Sequence, residues 1–322
     1  MIIQMAPLEG ITTYIYRRAY NHHLGDIDLY YIPFISLSGE KVFNHKEKAE
    51  LSAENNANMK VIPQVITNSA ADVLSVEKKF KEMGYDEINI NLGCPSGTVT
   101  PKGRGSGMLR DPMKMDMFLG EVFEKTTAKV SVKTRIGYDS PDEWEDLLKI
   151  YNKYPISELI IHARVRQDFY KNTPNMDAFE YAVKNSKNPL CYNGDINSVQ
   201  DYISLKERFP DVDSVMLGRG LLTNPFLVEN IRMYDKSGEA GSEPWIISPE
   251  NVTRLQAFHD EIYQGYKSIL SGDRNLLFKM KEFWRYMVCI MPDAEKHDKK
   301  IKKMTNAAEY SAYVGSMFGA LK

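Results

Sequence analysis

Short apolar or alternating runs recur along this chain, and the stretches between them carry helix-boundary signals. The runs predict strands at Ile2 to Ala6, Leu29 to Ile35, Val61 to Val65, Glu87 to Asn91, Lys129 to Thr134, Glu158 to His162, Pro189 to Asn193 and Ser214 to Leu217. Between them, Asp111 followed by Pro112 reads as an N-cap with proline at the first helical position. Ser140-Pro141-Asp142-Glu143 reads as a capping box, and Phe80 and Met83 run into a stop at Gly84. Strands alternating with helices over about 220 residues predict an α/β chain folded as a (β/α)8 TIM barrel, with a doubly wound sheet as the rival. Around Ser237 to Pro244 small residues take over, and beyond Trp245 the pattern is helical only. Val252, Leu255, Phe258, Ile262 and Tyr266 share one face there. The expected division is a barrel domain over 1–240 and an all-helical domain over 246–322.

The polar residues favour the barrel. Each predicted strand ends in groups that a structural strand end does not need: Pro7-Leu8-Glu9, Gln64, Asn91 with Cys94, Lys133 and Arg135, His162 and Arg164, Asn193-Gly194-Asp195, and Gly218-Arg219-Gly220. A barrel of this kind builds its active site at the C-terminal strand ends, so the series reads as a site laid out along the sequence. Taken singly, each has a duller reading: a solvated lysine, a satisfied core histidine, an Asn-Gly turn. Recurrence at successive strand ends carries the argument.

The fourth strand end is the richest. Asn91-Leu92-Gly93-Cys94-Pro95 places a thiol on a strand-to-helix loop. Gly103, Gly105 and Gly107 follow, where the backbone can approach something closely. The alternative is a buried cysteine beside a structural turn. The three cysteines, Cys94, Cys191 and Cys289, are odd in number and far apart, which excludes a disulfide scaffold and a Cys-rich metal site and fits a reducing cytoplasm. No metal is expected. No run reaches membrane-spanning length, and the N-terminus turns polar too quickly for a signal peptide.

A net charge of −2 excludes a globally basic nucleic-acid binder. Residues 246–322, however, hold twelve Lys+Arg against nine Asp+Glu, a net of +3. The excess lies in Lys279 to Tyr286, where Lys279, Lys281 and Arg285 interleave with Phe283, Trp284 and Tyr286, and in Lys296 to Lys303. Such runs are either RNA-phosphate contacts or solvated helix faces. At the last two strand ends, Asn193-Gly194-Asp195 and Gly218-Arg219 suit a phosphate. A lysine and a histidine at the fifth and sixth strand ends suit the electron-accepting ring of a flavin. No dinucleotide fingerprint opens a helix, which points to FMN rather than NAD.

Together these residues resemble the tRNA-dihydrouridine synthases. The resemblance runs through Met5 to Thr12, Gln64, Asn91 to Pro95 with Val99 and Gly103-Arg104-Gly105, and Val132 to Gly137. It continues through Ile161 to Arg164, Asn193 to Ile196, Met216 to Gly220 and Asn224-Pro225, and reaches Lys279-Met280-Lys281 and Trp284. It implies an FMN-binding barrel with a helical domain that grips tRNA, and NADPH as electron donor. By the same resemblance Pro7, Leu8, Glu9, Gln64, Lys133, His162, Asn193, Gly194, Asp195, Gly218 and Arg219 hold FMN. Asn91 and Arg135 contact the target uracil and Cys94 is the catalytic acid; from the basic stretch itself, Lys279, Lys281 and Arg285 are expected to meet RNA phosphates. A cytoplasmic monomer with no stable protein partner is expected. Lys171-Asn172-Thr173 and Pro33 to Leu37 depart from the family pattern.

The chemistry agrees. The uracil C5=C6 bond is conjugated to a carbonyl, so hydride from flavin N5 adds at C6 and C5 then takes a proton. A thiol, mostly protonated at neutral pH, can give it. The base must be flipped from its stack to be reached. Two rivals stay open: a dihydroorotate dehydrogenase-like barrel acting on a free small molecule, and a non-catalytic RNA-binding protein.

Overall fold

A computed structural model of the protein describes residues 1–39, 42–239 and 248–322. Eight strands, β1 (Ile2–Met5), β2 (Leu29–Ser36), β3 (Val61–Ile66), β4 (Glu87–Leu92), β5 (Lys129–Gly137), β6 (Leu159–Val165), β7 (Leu190–Asn193) and β8 (Ser214–Leu217), pair in chain order into a closed barrel. Closure runs from Ile2↔Ser214 to Met5↔Leu217, in parallel register. The barrel reading holds, and the doubly wound rival, which needs two free edges, does not. β6 is buried along its whole length, as a strand covered on both faces must be.

All eight expected strands are present, and the misfits are informative. β5 and β6 each run three residues past their expected ends. The added residues include Arg135 and Arg164, and the β5–β6 register shifts between Arg135 and Gly137. In β2 the register against β3 shifts between Ile32 and Ile35, around Pro33, which has no N–H to give the ladder. The helix signals are realised locally. The Asp111 side chain accepts from Lys114 N at the start of Pro112–Lys125, and Ser140 with Glu143 forms the capping box. Gly84 stands at φ +88° just after Ala70–Glu82.

The chain divides into two compact units. The first, Met1–Glu9, Asp28–Asp195 and Leu205–Leu217, holds all eight strands. The second, Gly10–Ile27, Ile196–Ser204 and Gly218–Lys322, is helical, and it includes Tyr14–His23 from near the start of the chain. The reason is aromatic packing inside that unit. Tyr16 stacks on Phe283 at 5.6 Å and meets Phe258 edge-on at 5.5 Å. Thr13 Oγ1 bonds the Tyr266 hydroxyl at 2.7 Å, and Ile15 lies flush against Gly265. Val252, Leu255, Phe258, Ile262 and Tyr266 are all buried, as their shared face predicts. The boundary expected between 240 and 246 lies outside the described residues, as does most of the Ser237 to Pro244 stretch. Among the described residues, no helix is long and apolar enough to cross a membrane.

The core of the second unit is anchored by one hydroxyl. Tyr310, fully buried, accepts from Trp284 Nε1 at 2.6 Å and meets His259 Nε2 at 2.7 Å. Tyr310→Phe leaves a buried indole N–H unpaired, so it is expected to destabilise this unit by about 1–3 kcal/mol. Urea unfolding followed by tryptophan fluorescence measures the loss.

Candidate functional site

The barrel register places the candidate residues in adjacent rungs of the first unit. Asn91 pairs with Lys133, Arg135 with His162, and His162 with Asn193. Residues scattered over a hundred positions of sequence thus share one rim.

The Cys94 loop is held from behind. Asn91 Oδ1 accepts from Gly93 N at 3.0 Å and from Cys94 N at 2.8 Å. Asn91 Nδ2 donates to Gln64 Oε1 at 2.8 Å, Gln64 Nε2 to Asn89 Oδ1 at 2.7 Å, and Asn89 Nδ2 to Ser131 Oγ at 2.9 Å. This relay of amides across β3, β4 and β5 fixes which end of Asn91 faces the loop, because its nitrogen donates to Gln64 Oε1 and its oxygen is left to accept the two loop N–H groups. Gln64 is fully buried, and each end of its amide has a partner inside the relay. Asn89 and Ser131 escaped the sequence reading, although Asn89-Ile90-Asn91 is the alternation that puts two amides on one strand face.

The glycine run approaches the Cys94 loop itself. A Cβ at Gly105, whose φ is +55°, would lie 2.8 Å from Cys94 O, and one at Gly107 would strike Thr100 O. Ser106 donates to Cys94 O from both its N (3.1 Å) and its Oγ (2.9 Å). The thiol is half-buried. Burial pushes its pKa above the usual thiol value, with Glu9 adding to the rise, while a Ser96 backbone bond and the charges of Arg135 and Lys133 oppose it.

Lys133 is half-buried and donates to Asn193 Oδ1 at 2.8 Å, while Asn193 Nδ2 donates to Met216 O at 2.8 Å. Burial first, and the charge of Arg135 second, lower Lys133 to about 8. It is therefore a cation at neutral pH that an anion would welcome. Arg164, with no exposed side-chain surface, pairs with Asp195, donates to His162 Nε2 at 3.0 Å and binds Lys171 O at 3.0 Å. Tyr170 lies 6.1 Å from His162, ring to ring.

Other expected residues have other settings. Arg135 is 1 % exposed, and its guanidinium donates to Gly93 O (2.9 Å), Val165 O (2.9 Å) and Phe169 O (2.7 Å). Lys279 bonds Gly10 O and Glu282, and Lys281 donates to Met304 O at 2.6 Å. Both ammonium groups have partners within the second unit. Arg285 is exposed, as a phosphate contact requires. Gly194 is packed so closely by the Tyr192 ring that a Cβ would strike its hydroxyl. Pro7, Leu8 and Glu9 follow β1 in the first unit, whereas Gly218 and Arg219 follow β8 and belong to the second.

The sequence matches the dihydrouridine synthase (Dus) family over residues 4–312. It is 30% identical over 238 residues to a probable tRNA-dihydrouridine synthase of Staphylococcus aureus (strain COL), covering 70% of each chain. It is 27% identical over 246 residues to probable tRNA-dihydrouridine synthase 2 of Bacillus subtilis (strain 168), again covering 70% of each. Among solved structures, a variant of NCR from Zymomonas mobilis shares the fold with a TM-score of 0.50 at 15% identity, over 75% of this chain and 88% of that one.

Gly105→Ala tests the packing behind the thiol. The added methyl meets Cys94 O and strains a positive φ, so a loss of roughly 1–3 kcal/mol is expected in thermal or urea unfolding of the holoprotein. Gly97→Ala, which would meet nothing within 4 Å, should leave stability near the wild type.

Proposed function

We propose, from the premise that this chain belongs to the dihydrouridine synthase family, that it reduces the C5=C6 bond of a uridine in tRNA to 5,6-dihydrouridine with Cys94 as the proton donor. The observation that carries this reading is the state of the thiol. The Cys94 loop is held by the backbone N–H groups of Gly93 and Cys94, which both donate to Asn91 Oδ1, and the thiol is kept in its protonated form by burial.

The donor set suits a flavin. Lys133 supplies a half-buried cation, oriented by Asn193, of the kind that stabilises the negative charge of a reduced ring. Lys133, His162, Asn193 and Asp195, with Pro7, Leu8 and Glu9 after β1, are the residues proposed to hold FMN, and Gly218 and Arg219 its phosphate. When bound, FMN supplies the hydride for C6, with NADPH as the source of electrons. The chain's own part is to keep one proton ready at Cys94 Sγ and to keep a cation at Lys133 Nζ. As C6 gains hydride, negative charge grows toward C5 and O4 of the base, and transfer of the thiol proton to C5 discharges it.

For the RNA, Arg285 and the exposed Lys296, Lys299, Lys300, Lys302 and Lys303 of the helix Ala294–Lys303 are the proposed phosphate contacts. Family membership speaks against the dehydrogenase-like rival. The protonated thiol beside a buried cation speaks against a pure binder, which has use for neither.

Cys94→Ala should keep its flavin and still be reduced by NADPH, while turnover of tRNA uridine falls by roughly 10²–10⁴-fold, the share of a positioned acid. Near-normal dihydrouridine in product nucleosides by mass spectrometry would reassign the acid.

The pH profile separates the two groups. Lys133 is charged below about 8 and neutral above it, and the thiol stays protonated to a higher pH than an ordinary cysteine. Activity is therefore expected to fall as pH rises through about 8. In Lys133→Arg, whose charge persists, that limb should move upward whatever the absolute rate. An unmoved limb would assign it to another group.

A further inference from the structure

Arg164, near the end of β6, has no exposed side-chain surface, and every N–H of its guanidinium has an acceptor. Nε donates to Lys171 O at 3.0 Å, and Nη2 donates to Asn172 O at 2.6 Å and to Asp195 Oδ2. Nη1 donates to Asp195 Oδ1 at 3.2 Å and to His162 Nε2 at 3.0 Å. One proton on Nε and a pair on each terminal nitrogen are all that a guanidinium has, so the set is complete. Lys171 and Asn172 belong to the segment that departs from the family pattern. Only their carbonyls are used here, and these are the same whatever side chain the residue carries.

The bond to His162 carries chemical information. A guanidinium offers donors and no acceptor, so the ring nitrogen it meets must present a lone pair. His162 Nε2 is therefore bare, and the one ring proton of the neutral imidazole sits on Nδ1. A doubly protonated ring would set N–H against N–H and charge against charge, with His162 only 7% and Arg164 1% exposed. Asp195 pins the guanidinium through both carboxylate oxygens, and in the same turn Asn193 orients Lys133. Gly194 lies between them, where a Cβ would strike the Tyr192 hydroxyl.

We propose that Arg164 is a positioning residue that locks His162 as its Nδ1–H tautomer, which makes the imidazole a hydrogen-bond donor to an acceptor atom of the flavin and denies it the part of acid or base. The ring's one lone pair is committed to the guanidinium, so it cannot take a proton from a reactant. It carries no charge with which to lend one. The tautomer follows from the contacts of Arg164; its use toward the flavin rests on the reading of His162 as a flavin ligand.

The test begins with the unaltered full-length protein carrying isotope-labelled histidine. By NMR, the shifts of the ring nitrogens and their couplings to the ring protons tell which nitrogen is protonated. His162 is one of six histidines, and its signals are assigned by their loss in His162→Ala. A protonated Nδ1 and a bare Nε2 are expected near neutral pH, with flavin or without it. An Nε2–H ring, or a ring protonated at both nitrogens, overturns the proposal.

A double-mutant cycle on FMN affinity, read by quenching of flavin fluorescence, tests the positioning role. Arg164→Gln, whose amide can donate or accept, should weaken FMN binding by roughly 3–10-fold, about the worth of one neutral hydrogen bond. In a His162→Ala background the same change should cost less than about twofold, because its effect runs through the imidazole. Equal losses in the two backgrounds, or no loss in either, would refute the role. If Arg164→Gln does not fold, the spectrum of the unaltered protein decides the assignment. If the purified chain takes up no FMN, the flavin reading fails, and the flavin-free spectrum still decides the tautomer.

Discussion

Closing eight parallel strands into one barrel forces every strand to leave by the same rim, and the irregular backbone just beyond that rim must then find hydrogen-bond partners outside the ladder. Most of the site follows from this requirement. A buried N–H or C=O without a partner costs about as much as a lost hydrogen bond, and side chains from neighbouring strands meet the need here. Asn91 takes the N–H groups of Gly93 and Cys94. Arg135 and Arg164 serve the carbonyls of Gly93, Val165, Phe169, Lys171 and Asn172. The loops that carry Cys94 and Phe169 are ordered by these amides and guanidiniums.

The same burial has opposite effects on the two titrating groups. It disfavours the charged form of each, so it raises the thiol of Cys94 and lowers the ammonium of Lys133. The thiol is left more firmly neutral. The lysine remains charged at neutral pH but within reach of deprotonation. The reaction proposed for this site, which hands over a proton while negative charge grows, needs both states together, and one degree of desolvation supplies them.

Much of this was legible in the sequence. Strands covered on both faces read as apolar runs, so all eight were found, and the caps at Asp111 and Ser140 follow from local chemistry that tertiary contacts did not override. The Cys94 loop was legible because glycines at fixed offsets have few other uses. What sequence did not disclose was direction. A guanidinium at a strand end reads the same whether it faces a ligand, three carbonyls or both, so the sequence places Arg135 at the rim without showing which groups it holds. Lys279 and Lys281 were read as surface charges, yet their ammonium groups lie against Gly10 O, Glu282 and Met304 O. Nor does local pattern report that Tyr16 packs with Phe258 and Phe283, more than two hundred positions away. That packing is why residues 10–27 belong with the helical unit.

The raised pKa of Cys94 has a bearing on durability. Peroxide attacks the thiolate and not the thiol, and the first product, a sulfenic acid, has no proton to lend in the thiol's place. A cysteine whose pKa were lowered would be the more exposed to such loss. By keeping the sulfur as S–H, the desolvation that suits Cys94 to its proposed role also slows its oxidation, so the loop behind it, sealed by Gly105 and Ser106, protects the residue as well as placing it.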